Sequence, residues 1–388
     1  MPTTSSGPLL AGLLSGALVL SACSGTDGGG GGGGGTDDAG GTGAPATSSS
    51  APSGGDTSTR ASRVARPRLA GTVATGLAVP WGVAFLPDGS ALVAERDTER
   101  VKQVTADGQV RTVGSVDGVD GLGEGGLLGL AVSPDFAEDS AVFAYFTAGS
   151  QNVVARLTFD GDRFSGQRRI FDGIPAGPIH DGGRIAFGPD GYLYLGTGES
   201  GRTDLAQRKD SLGGKILRIT ADGEPAPGNP FPGSPVYSLG HRNVQGLAWD
   251  SRGQLWAAEF GQNTWDELNR IEAGANYGWP EVEGPSGDDR YVDPVRQWRT
   301  SVASPSGIAV AEDSVFMAGL RGARLWQIPI PGGRAGRPRA LLRERFGRLR
   351  TVVAAPDGSL WVTTSNRDGR GSVRDGDDRI LRLTFDEQ

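Results

Sequence analysis

The stretch Trp81–Arg96, WGVAFLPDGSALVAER, contains two apolar, strand-like segments on either side of Asp88-Gly89. An Asp-Gly pair between two such segments predicts a β-hairpin, because glycine tolerates the positive φ that a tight turn requires. Similar stretches recur with starts at Leu128, Gly183, Gln245, Ser306 and Arg350. The sequence is therefore organised around six copies of one hairpin.

The spacing of the six copies predicts the fold. They begin roughly 45 to 60 residues apart, which leaves room for two further strands in each unit. Units of four strands repeated around an axis form the blades of a β-propeller. A β-solenoid is the alternative, but its repeats would be shorter and more uniform. We expect an all-β chain, a six-bladed β-propeller with four-stranded antiparallel blades.

The N-terminal segment predicts export. Residues 8–22, PLLAGLLSGALVLSA, form an apolar run of signal-peptide length that is too short to span a bilayer. It ends in LSAC, which matches the pattern at which lipoproteins are cleaved and acylated on cysteine. Residues 1–22 are therefore predicted to be a signal peptide of the lipoprotein type. Cys23, the only cysteine of the chain, would anchor an exported, extracytoplasmic protein to the cell membrane, unless it is simply a free thiol.

The remaining chain divides by composition. Residues 23–67 are rich in Gly, Ser and Thr, and such a segment buries too little apolar surface to fold. We predict a flexible tether there, followed by a propeller domain at residues 68–388. The net charge of −7, with no basic cluster interleaved with aromatic residues, argues against a nucleic-acid partner.

Several stretches outside the hairpin repeat carry candidate functional residues. Glu124 lies in the segment GLGEGG at residues 121–126, whose glycines suggest close approach of the backbone to a flat ligand or to another strand. His180 and Glu199 flank the third hairpin, and His241, Arg242 and Asn243 follow one another before the fourth. From the residues alone, each of these histidines could equally be a packing residue.

Two more stretches suggest ligands for a metal and for an anion. Residues 259–280 gather carboxylates and a tyrosine among glycines, an oxygen inventory that suits Ca²⁺ but that also fits an ordinary solvated loop. Arg348 and Arg350 are two residues apart, so on a strand they would lie on one face. Together with Arg321 they could hold a polycarboxylate or a phosphate in forked hydrogen bonds.

Taken in order, these stretches resemble the soluble quinoprotein sugar dehydrogenases, the glucose/sorbosone dehydrogenase family, and within it the aldose sugar dehydrogenase branch. The likeness covers residues 75–385 and includes the motifs PWGVAFLPDG, GEGGLLGLAVSPDF, HDGGRIAFGPDGYLYLGTGE, LGGKILRI, LGHRNVQGLAW and DELNRIEAGANYGWP. The resemblance implies pyrroloquinoline quinone (PQQ) bound on top of a six-bladed propeller, with Ca²⁺ bridging protein and cofactor.

The resemblance also implies roles for individual residues. His180 is similar to the catalytic base of the family, and Glu199 stands where a supporting carboxylate is kept. His180 also belongs to the implied PQQ-binding set, together with Glu124, Arg242, Asn243, Arg321, Arg348 and Arg350. The main-chain oxygens of Gly261 and Gln262 are implied for the cofactor Ca²⁺, and Glu267 and Tyr277 resemble ligands of a second, structural Ca²⁺. Departures from relatives are Glu124 for glutamine, Gln262 for proline and Arg321 for lysine.

The expected function is the PQQ-dependent oxidation of aldose sugars at C1 to the lactone, with electrons passed to an external acceptor. A metal-dependent propeller lactonase or other hydrolase is one alternative, although it would not require Arg348 and Arg350. A non-catalytic surface propeller that binds glycans or proteins is another, and it would be indifferent to His180.

Overall fold

The structure, a computed structural model, describes residues 64–386 and confirms the predicted architecture. Twenty-four strands form six four-stranded sheets, and neighbouring strands run antiparallel in every sheet. The predicted signal peptide, Cys23 and most of the predicted tether lie outside the described residues. Residues 64–386 contain no helix with the length and apolarity needed to cross a membrane.

Six blades follow one another along the chain. Their strands are β1 (Arg68–Ala74), β2 (Pro80–Phe85), β3 (Ala91–Glu95), β4 (Arg100–Val104), β5 (Val110–Ser115), β6 (Leu127–Val132), β7 (Ala141–Ala148), β8 (Gln151–Phe159), β9 (Phe164–Pro175), β10 (Ile185–Phe187), β11 (Leu193–Gly196), β12 (Lys215–Ile219), β13 (Val236–Leu239), β14 (Val244–Trp249), β15 (Leu255–Glu259), β16 (Trp265–Arg270), β17 (Arg296–Arg299), β18 (Pro305–Ala311), β19 (Ser314–Gly319), β20 (Arg324–Pro329), β21 (Arg339–Leu341), β22 (Leu349–Ala354), β23 (Leu360–Thr364) and β24 (Ile380–Thr384). One short helix, α1 (Phe136–Asp139), and 3₁₀ turns at Thr203–Ala206 and Pro331–Gly333 complete the described elements.

The repeated hairpins form the two inner strands of each blade. A central cavity of about 270 Å³ is lined by side chains from all six innermost strands, β2, β6, β10, β14, β18 and β22. Apolar cores lie between successive blades; in one of them, Trp256 and Leu268 of one blade pack with Ile308 and Met317 of the next. Burial of these faces is what holds neighbouring blades together, since apolar surface removed from water contributes about 25 cal/mol per Å².

The first strand closes the ring. β1 pairs with β24, so the outermost strand of the last blade comes from the start of the propeller. The two ends of the domain are therefore joined by a hydrogen-bonded ladder, and the sheets form a ring with short, protected edges.

Strand direction places the candidate residues at one end of the ring. Because consecutive strands alternate in direction, the Asp-Gly turns of the repeated hairpins lie at one end of the blades. The loops between the second and third strands, and those between blades, lie at the other end. Glu124, His180, Arg242, Gln262 and Arg321 all belong to this second set of loops.

Candidate active site

His180 and Glu199 form the centre of the candidate site. The Nδ1 atom of His180 lies 2.8 Å from Oε1 of Glu199, and both side chains are buried. Glu199 is itself oriented, because its Oε2 accepts a hydrogen bond from the Gly201 N–H. A carboxylate on Nδ1 favours the tautomer with the proton on that nitrogen and leaves Nε2 as the acceptor. Within residues 64–386, Nε2 of His180 makes no hydrogen bond, so it is free to accept a proton from a ligand.

The backbone of His180 is held in an uncommon conformation. Its φ of 62° lies in the left-handed region, which costs a non-glycine residue about 1–3 kcal/mol and persists where surrounding contacts impose it. Its N–H donates to Oε2 of Glu124 at 3.0 Å, and its carbonyl oxygen accepts from the Ser200 N–H at 3.2 Å. These contacts connect His180 to the loop before β6 and to the loop after β11.

Glu124 is the junction between two parts of the site. Besides the His180 N–H, it accepts a hydrogen bond at 2.7 Å from Nη1 of Arg370, a residue that lies 246 positions further along the chain. Burial of Glu124 opposes its ionisation, but the hydrogen bonds from Arg370 and from the His180 backbone outweigh burial and lower its pKa. Glu124 is thus held as a carboxylate beside His180.

Arg242 and Asn243 are adjacent to this pair and have unused donors. Asn243 accepts the Gly182 N–H on its Oδ1 at 3.0 Å, and the Arg242 carbonyl accepts the Glu199 N–H at 3.0 Å. Among the described residues, however, the buried Arg242 Nε and Asn243 Nδ2 have no hydrogen-bond partner. Burial also lowers the pKa of Arg242. Buried unpaired donors are costly, so their presence points to an oxygen-rich ligand at this place.

His241 serves a different purpose from His180. Its ring is fully buried, with Nδ1 at 2.7 Å from Oε1 of Glu259 and Nε2 at 2.8 Å from Oγ of Ser238. It also stacks on Tyr277 with ring centroids 4.6 Å apart. Both ring nitrogens are occupied, so His241 fixes the loop that carries Arg242 and Asn243.

Arg348 and Arg350 converge on one carboxylate that the sequence did not single out. Asp368 accepts from Arg348 Nη2 at 2.9 Å and lies 3.4 Å from Arg350 Nη2. Burial, with the charge of Arg96 nearby, lowers the pKa of Arg350 to about 10. The structure brings these two arginines together, whereas Arg321 is exposed in the β19–β20 loop and makes no side-chain hydrogen bond within residues 64–386.

The acidic segment forms a second cluster next to Arg242. Glu259, Glu267 and Glu283 line one small pocket together with Gly261 and Tyr277. Burial, reinforced by the neighbouring Glu259, raises the pKa of Glu267. Glu283, which the sequence did not single out, turns Oε1 to the backbone N–H groups of residues 262–265, at 2.7 to 3.2 Å. The Tyr277 hydroxyl donates to the Arg270 carbonyl and accepts the Glu272 N–H.

These clusters contain residues that sequence reasoning missed. Asp368 and Arg370 lie in the β23–β24 loop, and nothing in the segment RDGRG distinguishes them from ordinary turn residues. Asp181 is next to His180 in the sequence and is fully buried, with one oxygen that lacks a partner among the described residues. These three residues are identified only by the side chains and backbone groups that they contact in the folded structure.

Asp181 makes the stability of the protein depend on pH. Burial raises its pKa to about 6, although the Gly177 N–H and Asn152 Nδ2 donate to its Oδ1. An acid whose pKa is higher in the folded state than in the unfolded state costs no stability below pH 4, and its cost is complete above pH 6. Asp181→Asn should therefore match the wild type near pH 4 and be more stable by about 1–3 kcal/mol at pH 7.

Denaturant unfolding of both proteins at intervals between pH 4 and pH 7.5 measures this difference. Asp289→Asn, which changes an exposed carboxyl, is the control and should give a pH-independent difference. A constant difference for Asp181→Asn as well would contradict the assignment of the shift to Asp181.

The chain is similar to known sugar dehydrogenases. The sequence model of the family described as Glucose / Sorbosone dehydrogenase matches residues 77–381. Aldose sugar dehydrogenase YliI from Escherichia coli (strain K12) is 30% identical over 332 residues, which are 75% of this chain and 88% of that protein. The PQQ-bound structure of an aldose sugar dehydrogenase from Streptomyces coelicolor is 58% identical with a TM-score of 0.80, over 83% of this chain and 98% of its own. An oxidoreductase structure from Thermus thermophilus, described as a glucose dehydrogenase, is 47% identical with a TM-score of 0.78, over 82% and 100% of the two chains.

Proposed function

Because the chain belongs to the glucose/sorbosone dehydrogenase family, in its aldose sugar dehydrogenase branch, we propose that it oxidises aldose sugars at C1 to the lactone with PQQ as the cofactor. The family makes it an oxidoreductase. The observation that carries the finer proposal is the His180–Glu199 pair, whose Nε2 is open to a ligand beside the unpaired donors of Arg242 and Asn243.

His180 acts as the general base in this proposal. Glu199 keeps the proton on Nδ1, so the lone pair of Nε2 takes the proton of the anomeric hydroxyl. As that proton leaves, Glu199 stabilises the imidazolium that forms. The hydride acceptor for C1 would be supplied by bound PQQ. The sugar thereby loses a proton from its oxygen and a hydride from its carbon, which leaves the lactone carbonyl.

The residues present fit a carboxylate-rich cofactor. Arg242 Nε and Asn243 Nδ2 offer buried donors without protein partners among the described residues, and the guanidinium groups of Arg348 and Arg350 lie side by side on Asp368. Forked hydrogen bonds from arginine match carboxylate oxygens in number and direction. Glu124 and Arg321 complete the proposed cofactor set, Glu124 through its position at His180 and Arg321 as an exposed cation in a loop at the same end of the ring.

Calcium fits the acidic cluster through a mixture of oxygens. Within residues 64–386 no three His, Cys, Asp or Glu side chains converge as a ready metal site, and main-chain oxygens are the further ligands that we propose. Gly261 and Gln262 would supply these for the cofactor Ca²⁺. Glu267 and Tyr277 would serve a second Ca²⁺, with Tyr277 using an oxygen other than its committed hydroxyl. A divalent cation would also relieve the repulsion between Glu259 and Glu267.

The cellular setting is part of the proposal. The apolar segment at residues 8–22 and the LSAC motif support an exported, extracytoplasmic protein that is held at the membrane by a lipid on Cys23. Electrons then pass to an acceptor outside the cytoplasm. Metabolic labelling of the full chain with a radioactive fatty acid, compared with Cys23→Ser, tests the anchor.

A dye-reduction assay of the purified full chain tests the function. We expect turnover of one or more aldoses when PQQ and Ca²⁺ are both present, and none when either is omitted. Absorbance titration of PQQ into the same protein shows whether the cofactor binds. Bound PQQ without turnover of any aldose would contradict the reaction, and lactone hydrolysis that needs no PQQ would favour the hydrolase alternative.

A further inference from the structure

Arg370 is joined to the proposed base by a continuous path of hydrogen bonds. Its Nη1 lies 2.7 Å from Oε1 of Glu124, and Oε2 of Glu124 accepts the His180 N–H at 3.0 Å. The path crosses between blades, from the β23–β24 loop of the last to the loops that flank the second blade. Loops of the second and last blades thus meet at one carboxylate next to His180.

The loop that carries Arg370 is held by Asp368, which also binds two arginines proposed to contact the cofactor. The backbone N–H of Arg370 donates to Oδ1 of Asp368 at 3.0 Å, while Oδ2 of the same carboxylate receives Arg348 and Arg350. The Asp368 side chain is only 2% exposed. The position of Arg370 is therefore set by the residue that arranges the two arginines proposed to bind the cofactor.

Glu124 is held by the segment that carries His180. Its own N–H donates to the carbonyl of Pro178 at 3.1 Å, two residues before His180. A Cβ on Gly123 would lie 2.1 Å from that carbonyl oxygen, so this close approach requires glycine. Glu124 is therefore joined to the His180 segment at two points, through the His180 N–H and the Pro178 carbonyl.

We propose that Arg370 is a positioning residue for His180, which acts through Glu124 by holding that carboxylate in place and neutralising its charge. The inference rests on the proposed function, in which His180 must be unprotonated to act as the base. An uncompensated Glu124 carboxylate beside the ring would favour the imidazolium and remove the base from use near neutral pH. Arg370 prevents this while leaving Glu124 to orient the His180 backbone.

Several other charged groups lie close to His180 and Glu124. Glu199 and Asp181 face His180, and Arg242 and Arg350 are near enough to interact with Glu124. Hydrogen bonding to Glu124 raises the pKa of Arg370, so this partner is cationic throughout the working range. Of the three arginines that act on Glu124, only Arg370 donates a side-chain hydrogen bond to it.

The composition of the chain makes the proposal directly measurable. His180 and His241 are the only two histidines, so ring-labelled histidine gives two NMR signals and His180→Gln assigns them. In the purified full chain without cofactor, Arg370→Gln should move the titration midpoint of the His180 ring upward by roughly 0.5 to 1 pH unit. His241, buried and bonded to Glu259, is the internal reference, and Arg370→Lys should give a smaller shift.

Two further variants separate this mechanism from others. In a Glu124→Gln background, Arg370→Gln should move the midpoint by less than about 0.2 pH unit, because the charge it balances is gone. Arg111→Gln removes a similar ion pair, with Asp162 at 2.7 Å, on the outer strand β5 and should leave the midpoint unchanged. An equal shift in the Glu124→Gln background, or none in the wild type, would overturn the proposal.

Kinetics provide the second readout. If the enzyme oxidises sugars, the acid limb of its kcat pH profile should move with the NMR midpoint in Arg370→Gln, while KM changes less than twofold. A shift in the NMR midpoint with no sugar turnover by any variant would leave the role of Arg370 intact and reject the proposed reaction. Normal turnover with an unmoved NMR midpoint would reject the role of Arg370 and leave the proposed reaction intact.

Discussion

Replacement of His180 by glutamine should lower kcat for aldose oxidation by roughly a thousandfold, since a positioned general base contributes about 10²–10⁴. Glutamine is close to histidine in size and offers an N–H to Glu199, but it has no basic nitrogen at the position of Nε2. The loss should therefore fall on the chemical step. Steady-state dye reduction with saturating PQQ and Ca²⁺ measures it.

Two measurements show that this loss is chemical. Absorbance titration should still detect PQQ binding to His180→Gln, and its Tm should remain within a few degrees of the wild type.

Glu199→Gln keeps a hydrogen bond to Nδ1 but removes the charge that stabilises the imidazolium, so we expect a loss of kcat of about 10- to 100-fold, smaller than that of His180→Gln. Retention of wild-type kcat by His180→Gln would assign the base to another residue.

The fold was predictable because its signal is repeated. Each hairpin places an Asp, Gly or Pro turn between two apolar strands, and six copies roughly 45 to 60 residues apart leave few architectures open. The closure of the ring was harder to see. β1 contains the sequence RLAGTVA, which has no hairpin partner nearby, and only its pairing with β24 shows that it completes the last blade.

The candidate site was predictable where a local hairpin brings two residues of one motif together. His180 and Glu199 flank one hairpin, so their meeting follows from the return of the strand. Asp368 and Arg370 reach their partners across 20 and 246 positions, and no local pattern encodes such pairs. Contacts between loops of different blades depend on the closure of the ring, and the pairing of β1 with β24 that closes it has no local signal in the sequence.

Lys215 is the clearest case of a residue whose importance appears only in the structure. Its side chain is fully buried, and Nζ donates to the carbonyl oxygens of Leu205, Ala206 and Gly213 at 2.7, 3.0 and 2.7 Å. These carbonyls belong to the β11–β12 loop. The same loop holds the segment before Arg242 and Asn243, because the Gly240 N–H donates to Ala206 and the His241 N–H to Gly214. The Lys215 amino group, whose pKa burial lowers to about 7, thus holds the loop that supports the candidate site.

Lys215→Met should destabilise the protein by about 3–5 kcal/mol, because methionine fills the space but leaves the carbonyls without their buried donor. The expected fall in Tm is roughly 5–10 °C. Lys209→Met is the matched control, since Lys209 is an exposed lysine of the same loop and its loss should cost under about 1 kcal/mol. Calorimetry of the three proteins without cofactor decides the matter: equal Tm values for the two variants would mean that the loop is held by its backbone contacts alone. A selective loss in Lys215→Met, accompanied by weaker PQQ binding, would show that one buried lysine maintains the loop on which Arg242 and Asn243 depend.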